Sequence, residues 1–246
     1  MANIRVLSLN MHKGMNAFNR RLTVHRLASL LKDAQPDLIF LQEVQGEHRI
    51  REDKWIDWPN HRQDTFLANH LDLDAVYGGN AFYPHGHHGN ALISAFPLIH
   101  SRNVDISQNK LEQRGMLHCI YQMGSMQLHA ICVHLNLLAN DRKKQLFLLM
   151  DEIHRHVPFD APLILAGDFN DWRNEATHLL LTHAGLHEST FALKGRLPKT
   201  FPAGWPMLSL DRIYFRHLKV QSTEVGDRLT WRGISDHLPL SSSFDL

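Results

Sequence analysis

The chain of 246 residues reads as an α/β protein built in layers. Two observations predict this. A short apolar run, Ile4 to Leu9, leads into an amphipathic stretch and then into a second apolar run, Leu38 to Leu41, the strand–helix–strand opening of an α/β layer. Farther along, residues 115–122 and 127–135 both have strand character and are separated by Gly124-Ser125, a connection of hairpin length, so antiparallel pairing joins the layered pattern.

Taken in order, the first strand is rich in β-branched and aliphatic residues and stops at the polar segment Asn10-Met11-His12-Lys13-Gly14. Over residues 21–34, Leu22, Leu27, Leu30, Leu31 and Ala34 recur at helical spacing until Pro36 ends the pattern. Leu38-Ile39-Phe40-Leu41 has the composition of a strand covered on both faces, and it closes on Gln42-Glu43-Val44. Residues 45–65 mix charge with Trp55, Trp58 and Pro59 without periodicity and read as a surface excursion at the border of a substrate; residues 66–71 read as a short helix. Gly78-Gly79 and the run Pro84 to Gly89 bracket a turn-rich segment whose histidines, His85, His87 and His88, read as a polar loop near a site mouth. A strand resumes over Asn90 to Ser94.

Asn140 is placed to cap a helix whose buried face is Leu146, Leu149, Met150 and Ile153. Leu163 to Ala166 is another wholly apolar strand, terminated by Gly167-Asp168-Phe169-Asn170-Asp171, and Asn174 can cap a helix reaching about residue 183. Residues 210–215 and 218–225 read as strands. Ser235-Asp236-His237 precedes the last strand, 238–244, which Pro239 makes start late or lie where a missing N–H is tolerated.

With 26 Lys and Arg against 25 Asp and Glu, the formal charge is +1, which supplies no global field for a polyanion. Two local clusters, Arg20, Arg21 and Arg26 and then Arg142, Lys143 and Lys144, read first as solvated helix faces. Cys119 and Cys132 lie in strands without a CxxC spacing, which excludes a zinc site of that kind. The chain enters its first strand almost at once, with no basic segment followed by a long apolar run. A reduced, cytoplasmic monomer is expected, without a transmembrane segment and with one domain over residues 1–246.

Polar groups recur at the ends of the apolar strands: Asn10, Glu43, His134, Asp168 with Asn170, and Asp236 with His237. Any one of them is ordinary, because strand ends meet loops where such residues are common. Seven of them, ending five strands of one core, point to a shared cluster on a rigid scaffold. Glu43, Asp168 and Asp236, with Asn10 and Asn170 as neutral oxygen donors, form the hard ligand set suited to Mg2+ or Mn2+. Crowded carboxylates repel one another until a cation or a raised pKa relieves them.

The blocks Leu9-Asn10-Met11-His12-Lys13-Gly14, Leu41-Gln42-Glu43-Val44, Gly167-Asp168-Phe169-Asn170-Asp171 and Ser235-Asp236-His237 resemble the endonuclease/exonuclease/phosphatase superfamily. This is the family of deoxyribonucleases, abasic-site endonucleases and sphingomyelinases, and the Asn-x-His-Lys-Gly opening and Gly89 to Ser94 look closer to its small bacterial members and to its sphingomyelinase and tyrosyl-DNA branches. Gly89 to Ser94, Gln113-Arg114-Gly115, His134-Leu135-Asn136 and Leu210 to Ile213 fall between these blocks in the family's order. The resemblance implies a four-layer α-β-β-α sandwich of two packed mixed β-sheets with its site at one edge.

Carried over by position, the resemblance makes Glu43 the principal metal carboxylate, Asn10 its neighbour and Asp236 the completion of the metal-side acidic cluster. Asp168, aided by Asn170, orients or deprotonates the attacking water. His237 faces the scissile phosphate, and Asp211 fixes its ring. His134 and Arg114 contact phosphate oxygens from the far side. Asn136 and Asn90 either shape the phosphate pocket or cap strand ends, and Lys13 either meets substrate phosphate or is simply exposed. Trp205 and Trp231 read as loop packing or as stacking platforms.

The expected activity is metal-dependent hydrolysis of a phosphodiester, in nucleic acid first, by in-line attack of an activated water. A phospholipid headgroup or another small phosphoester is the alternative substrate. A non-catalytic binding protein on the same fold is the third reading.

Overall fold

The structure, a computed structural model, describes residues 3–245. Two six-stranded sheets pack face to face. In chain order the first contains β1 (Asn3–Asn10), β2 (Leu38–His48), β3 (Asp74–Tyr83), β4 (Gly86–Ser94), and later β11 (Lys219–Val225) and β12 (Leu240–Asp245), in the spatial order β11-β12-β1-β2-β4-β3. The second contains β5 (Leu98–Asp105), β6 (Gly115–Met123), β7 (Met126–His134), β8 (Leu163–Asp168), β9 (His187–Glu188) and β10 (Asp211–Arg216), in the order β5-β6-β7-β8-β10-β9. Each sheet has one parallel pair, β1 with β2 and β7 with β8, among antiparallel neighbours. A parallel pair needs a crossover, and helices supply both: α1 (Val24–Ala34) between β1 and β2, and α4 (Ala139–His156) between β7 and β8.

The period of two along each strand divides the side chains between layers. Ile4 and Val6 on β1, Leu38 and Phe40 on β2, Leu128, Ala130 and Cys132 on β7, and Ile164 and Ala166 on β8 fill the space between the sheets. Leu7, Leu9, Ile39 and Leu41 face the other way, onto Leu27, Ala28 and Leu31 of α1 and Leu67 of α3 (Gln63–Leu71). Ile131, Val133, Leu163 and Leu165 face Leu146, Leu149 and Ile153 of α4 and Leu180 of α5 (Glu175–Ala184). The result is the four-layer α-β-β-α sandwich. Phe40 is wholly buried between the sheets, so truncation to alanine there would cost about 3–5 kcal/mol.

Some sequence expectations are corrected. The segment 78–89 is not turn-rich but a hairpin, β3 and β4, whose tip is Pro84-His85. His87 and His88 therefore lie on a strand, and His87 Nδ1 pairs with the Tyr77 hydroxyl at 2.9 Å. The excursion after Glu43 begins later than expected, since β2 runs on to His48 and α2 (Arg49–Lys54) follows. Asn140 lies inside α4, whose cap position is Leu138. Asn174 does precede α5, in left-handed conformation, but its side chain accepts from Arg212 Nη2 at 3.0 Å and does not cap the helix. Strands β5 and β9 and the short α6 (Ser189–Lys194) had no periodic signal. Among the described residues no helix is long and apolar enough to cross a membrane.

Candidate active site

The site lies where the inter-sheet layer runs out at one end. Continuing by twos, Ile4, Val6 and Ser8 lead to Asn10; Ala130 and Cys132 lead to His134; Ile164 and Ala166 lead to Asp168; and Phe215 and Ile213 lead back to Asp211. Each polar group is thus the next inward position of a strand whose earlier inward positions are apolar or small. Asp211 and Asp168 are direct antiparallel partners, and His134 and Asp168 are parallel partners, so pairing alone draws three of the groups together.

Glu43 arrives by a different device. Leu41 pairs with Ala91 and Val44 with Gly89, leaving one extra residue on β2, a bulge that re-aims its side chain. Glu43 itself has φ of 54°, in the left-handed region. So have His12, Lys13 and Asn170, and these four are among nine non-glycine residues with positive φ among the described residues. Such conformations cost of order 1–3 kcal/mol each and persist where the surrounding structure holds them. Gly167, immediately before Asp168, has φ of 149°, and a Cβ there would meet the Val133 carbonyl oxygen at 1.9 Å, so only glycine lets β8 approach β7 at the site.

The hydrogen bonds join the two sheets. Asn10 Nδ2 donates to Asp168 Oδ2 at 3.1 Å and, at 3.4 Å, to Glu43 Oε1, while its oxygen accepts the His12 N–H. Asn10 therefore faces the carboxylates as a donor. Asn170 N–H donates to Asp168 Oδ1 at 3.0 Å, and Asn170 Nδ2 to the Leu135 carbonyl. His237 Nδ1 donates to Asp211 Oδ2 at 2.8 Å, and the Thr200 hydroxyl donates to the same oxygen. The other ring nitrogen, Nε2, lies 3.7 Å from Asp168 Oδ2. Ser235 ties the final block to β1 through its hydroxyl and the Asn10 carbonyl, 2.6 Å apart. Thr200 and Ser235 act through partners remote in sequence, and no spacing in the chain announces Thr200.

Two histidines at the same opening have opposite protonation. Burial alone would lower His237, but the carboxylates of Asp211, Asp168 and Asp236 outweigh it and raise its pKa to about 10, so the ring is an imidazolium. Burial, joined by the Arg114 guanidinium, pushes His134 down to about 3. Arg114 Nη1 lies 3.4 Å from His134 Nδ1, which makes that nitrogen the acceptor and directs Nε2–H toward Asp168, 3.5 Å away. For Glu43, burial would raise the pKa, yet the charge and hydrogen bond of Lys13 hold the carboxyl well below the usual range. Asp236 is likewise lowered against its burial by the hydrogen bond and charge of His12, whose Nδ1 is 3.2 Å from Oδ1.

Asn136 and Asn90 are both engaged by neighbouring elements. Asn136 is bonded to Gln145 and Asp141 of α4, and Asn90 donates to the Gly115 and Cys132 carbonyls of the opposite sheet, so both brace the walls. Lys13 Nζ is 2.8 Å from Glu43 Oε2. His88, which the sequence places in a polar loop near a site mouth, is half-buried on β4 beside the cleft and pushed down to about 4, by desolvation first and then by the charge of Lys13. Trp231 is buried packing against the α1 layer, whereas Trp205 is 68% exposed, stacked with Arg228.

Donor atoms of Asp168, Asp211 and His237 come within 4.8 Å of one another, close enough to hold a divalent cation. A protonated His237 bonded to Asp211 is, however, a poor ligand, since imidazole binds metals when neutral. The ammonium of Lys13 on Glu43 marks the position where the cleft accepts a positive charge on hard oxygen donors, and this fits a hard divalent cation.

The chain matches the Endonuclease/Exonuclease/phosphatase family over residues 7–237. It is 40% identical over 244 residues to Uncharacterized protein YbhP of Escherichia coli (strain K12), covering 98% of this chain and 96% of that one. The solved endonuclease/exonuclease/phosphatase from Bacteroides vulgatus superposes with a TM-score of 0.80 at 16% identity, covering 100% of both chains. TDP2 of D. rerio complexed with single strand DNA product gives 0.76 at 17% identity, again over 100% of both. The protein belongs to the endonuclease/exonuclease/phosphatase family, in a bacterial branch with YbhP.

Proposed function

We propose that the protein hydrolyses a phosphodiester of nucleic acid with an activated water, using Mg2+ or Mn2+. The observation that carries the reading is His237, an imidazolium clamped by Asp211 and facing Asp168 at the cleft opening. Asp168, held by Asn10 and by Asn170 N–H, orients the attacking water and takes its proton. His237 offers Nε2–H and a positive charge to a phosphate oxygen, where charge grows in the transition state. Neutral His134 presents Nε2–H, and Arg114 adds charge from the second sheet. Glu43 and Asp236 would hold the cation, which when bound would supply Lewis-acid stabilisation of charge on the phosphate oxygens. Asn10 keeps Glu43 and Asp168 in register by donating to both.

A basic rim supports a polyanionic substrate. Arg20, Arg21, Lys110, Arg173, Arg196 and Lys199 are exposed on loops that leave the same edge as the site, although the whole chain carries only +1. TDP2 of D. rerio, which shares the fold, was solved with a DNA product, and this agrees with the reading.

A second reading, hydrolysis at a phospholipid headgroup, is favoured by exposed apolar side chains on loops: Phe18 is 76% exposed, Ile56 99%, Leu111 96% and Leu229 80%. The aliphatic Ile56, Leu111 and Leu229 offer no stacking face to a base, whereas a lipid surface would cover them. One experiment separates the readings. The pure protein with Mn2+ is assayed on single- and double-stranded DNA, RNA, bis-p-nitrophenyl phosphate and phospholipid vesicles, with Glu43→Ala as control. Cleavage of a nucleic acid that disappears in the variant is expected. Turnover of vesicles alone would replace the first reading by the second, and no turnover of any substrate would leave a binding role. The reading includes a monomer in the cytoplasm with both buried cysteines reduced, which light scattering and cell fractionation check.

A further inference from the structure

The Lys13–Glu43 pair is built in a way that a simple surface ion pair is not. Three consecutive residues, His12, Lys13 and Gly14, have φ of 47°, 58° and 68°, and Glu43 at the other end has φ of 54°. Both members of the pair thus sit on left-handed backbone, which the fold holds in place. On the lysine side the holding group is Gln63 of α3. Its Nε2 donates to the Lys13 carbonyl at 2.9 Å, and its Oε1 accepts from Gln45 N–H at 3.0 Å. Gly14 is required by this arrangement, because a Cβ there would meet Gln63 Nε2 at 2.3 Å. The Thr23 N–H, bonded to the Gly14 carbonyl, fixes the far side of the turn.

What remains free to move is the lysine side chain. It is 27% exposed, has four rotatable bonds, and meets Glu43 Oε2 only through its ammonium. Among the described residues Glu43 Oε2 has no other hydrogen-bond donor, and Oε1 has only the long contact from Asn10. A strained, clamped turn therefore delivers one mobile cation to the carboxylate that the proposed mechanism assigns to the metal.

We propose that Lys13 is a tethered counter-cation. It neutralises Glu43 when the divalent ion is away, is displaced by that ion, and then turns its ammonium to an oxygen of the bound phosphate. The inference rests on the metal reading above. It makes lysine and metal competitors for Glu43. It also makes metal and phosphate mutually reinforcing, because the phosphate draws the lysine off the carboxylate.

The test is Mn2+ affinity, read by titration calorimetry and by the electron paramagnetic resonance signal of free Mn2+, without substrate. In Lys13→Met, which keeps the length and loses the charge, Mn2+ should bind about fivefold tighter, the change expected from removing one partly exposed ion pair of about 1 kcal/mol. The gain should vanish on a Glu43→Gln background. Inorganic phosphate should tighten Mn2+ binding more in the wild type than in Lys13→Met. Thermal unfolding identifies any fold defect, and Lys13→Arg, which keeps the charge, should retain weak wild-type-like affinity. Unchanged or weaker Mn2+ binding in Lys13→Met overturns the tethered-cation role while leaving the metal reading intact. A wild type that binds no Mn2+ overturns both.

Discussion

Asp168→Asn tests the centre of the proposed chemistry, and its effects can be worked from the contacts. One carboxylate oxygen, Oδ1, accepts the Asn170 N–H at 3.0 Å. The other accepts Asn10 Nδ2 at 3.1 Å and lies 3.5 Å and 3.7 Å from the Nε2 atoms of His134 and His237. Every neighbour is a donor. An amide must turn its own NH2 toward one of the two sets, so the variant leaves donors facing donors in a buried place, at about 1–3 kcal/mol of stability. Loss of a proton acceptor lowers turnover by about two to four orders of magnitude, or ~3–5 kcal/mol in activation free energy. KM should change little, because cation and phosphate contacts remain. The assay is kcat and KM on bis-p-nitrophenyl phosphate at saturating Mn2+, with urea unfolding of the same sample. A folded variant whose kcat stays within about tenfold of wild type would refute the role given to Asp168.

Asp211→Asn removes the charged acceptor of His237 Nδ1, and turnover should fall about ten- to hundredfold, checked by the same kinetics with the fold confirmed by circular dichroism. Chelation with EDTA should abolish hydrolysis and Mn2+ should restore it, while activity that persists after exhaustive chelation contradicts the cation's role. Gly14→Ala forces a Cβ against Gln63 at a residue with φ of 68° and should lower the urea midpoint by an amount equivalent to at least about 1 kcal/mol. Acid should destabilise the fold through the buried pair His118–His129, whose rings are linked by a 3.0 Å hydrogen bond. Desolvation, then the charge of His118, holds His129 down to about 4, so below pH 6.5 the unfolded chain gains a proton that the folded chain refuses. That stabilisation is complete above pH 6.5 and is lost as pH falls toward 4. His129→Gln should therefore lose about 2 kcal/mol less than wild type between pH 7 and 5, as measured by urea unfolding.

The parts of the site that were legible in the sequence are those written on strands. Asn10, His134 and Asp168 each follow an apolar run, and the structure continues those runs by twos into the cleft. Asp211 is visible only through the resemblance, because it stands at the start of a strand and not at the end of an apolar run. Thr200 and Gln63 could not be read at all; each works through a bond to a group brought near by the fold, and neither lies in a periodic segment. The hairpin at 78–89 was obscured because four glycines in twelve residues have the composition of turns, and only pairing with β2 makes it a strand. The orientations of Asn90 and Asn136 were left open by the sequence for a similar reason. Either residue can reach a phosphate or a carbonyl, and neighbouring elements decide which.

The bond from Asn10 to Asp168 runs from one sheet to the other, so neither half of the molecule contains a working centre by itself. Turnover becomes a gauge of how the halves are seated. Any change that lets them slide, even deep among the aliphatic side chains and far from the opening, should be felt as lost activity before it is seen as lost secondary structure.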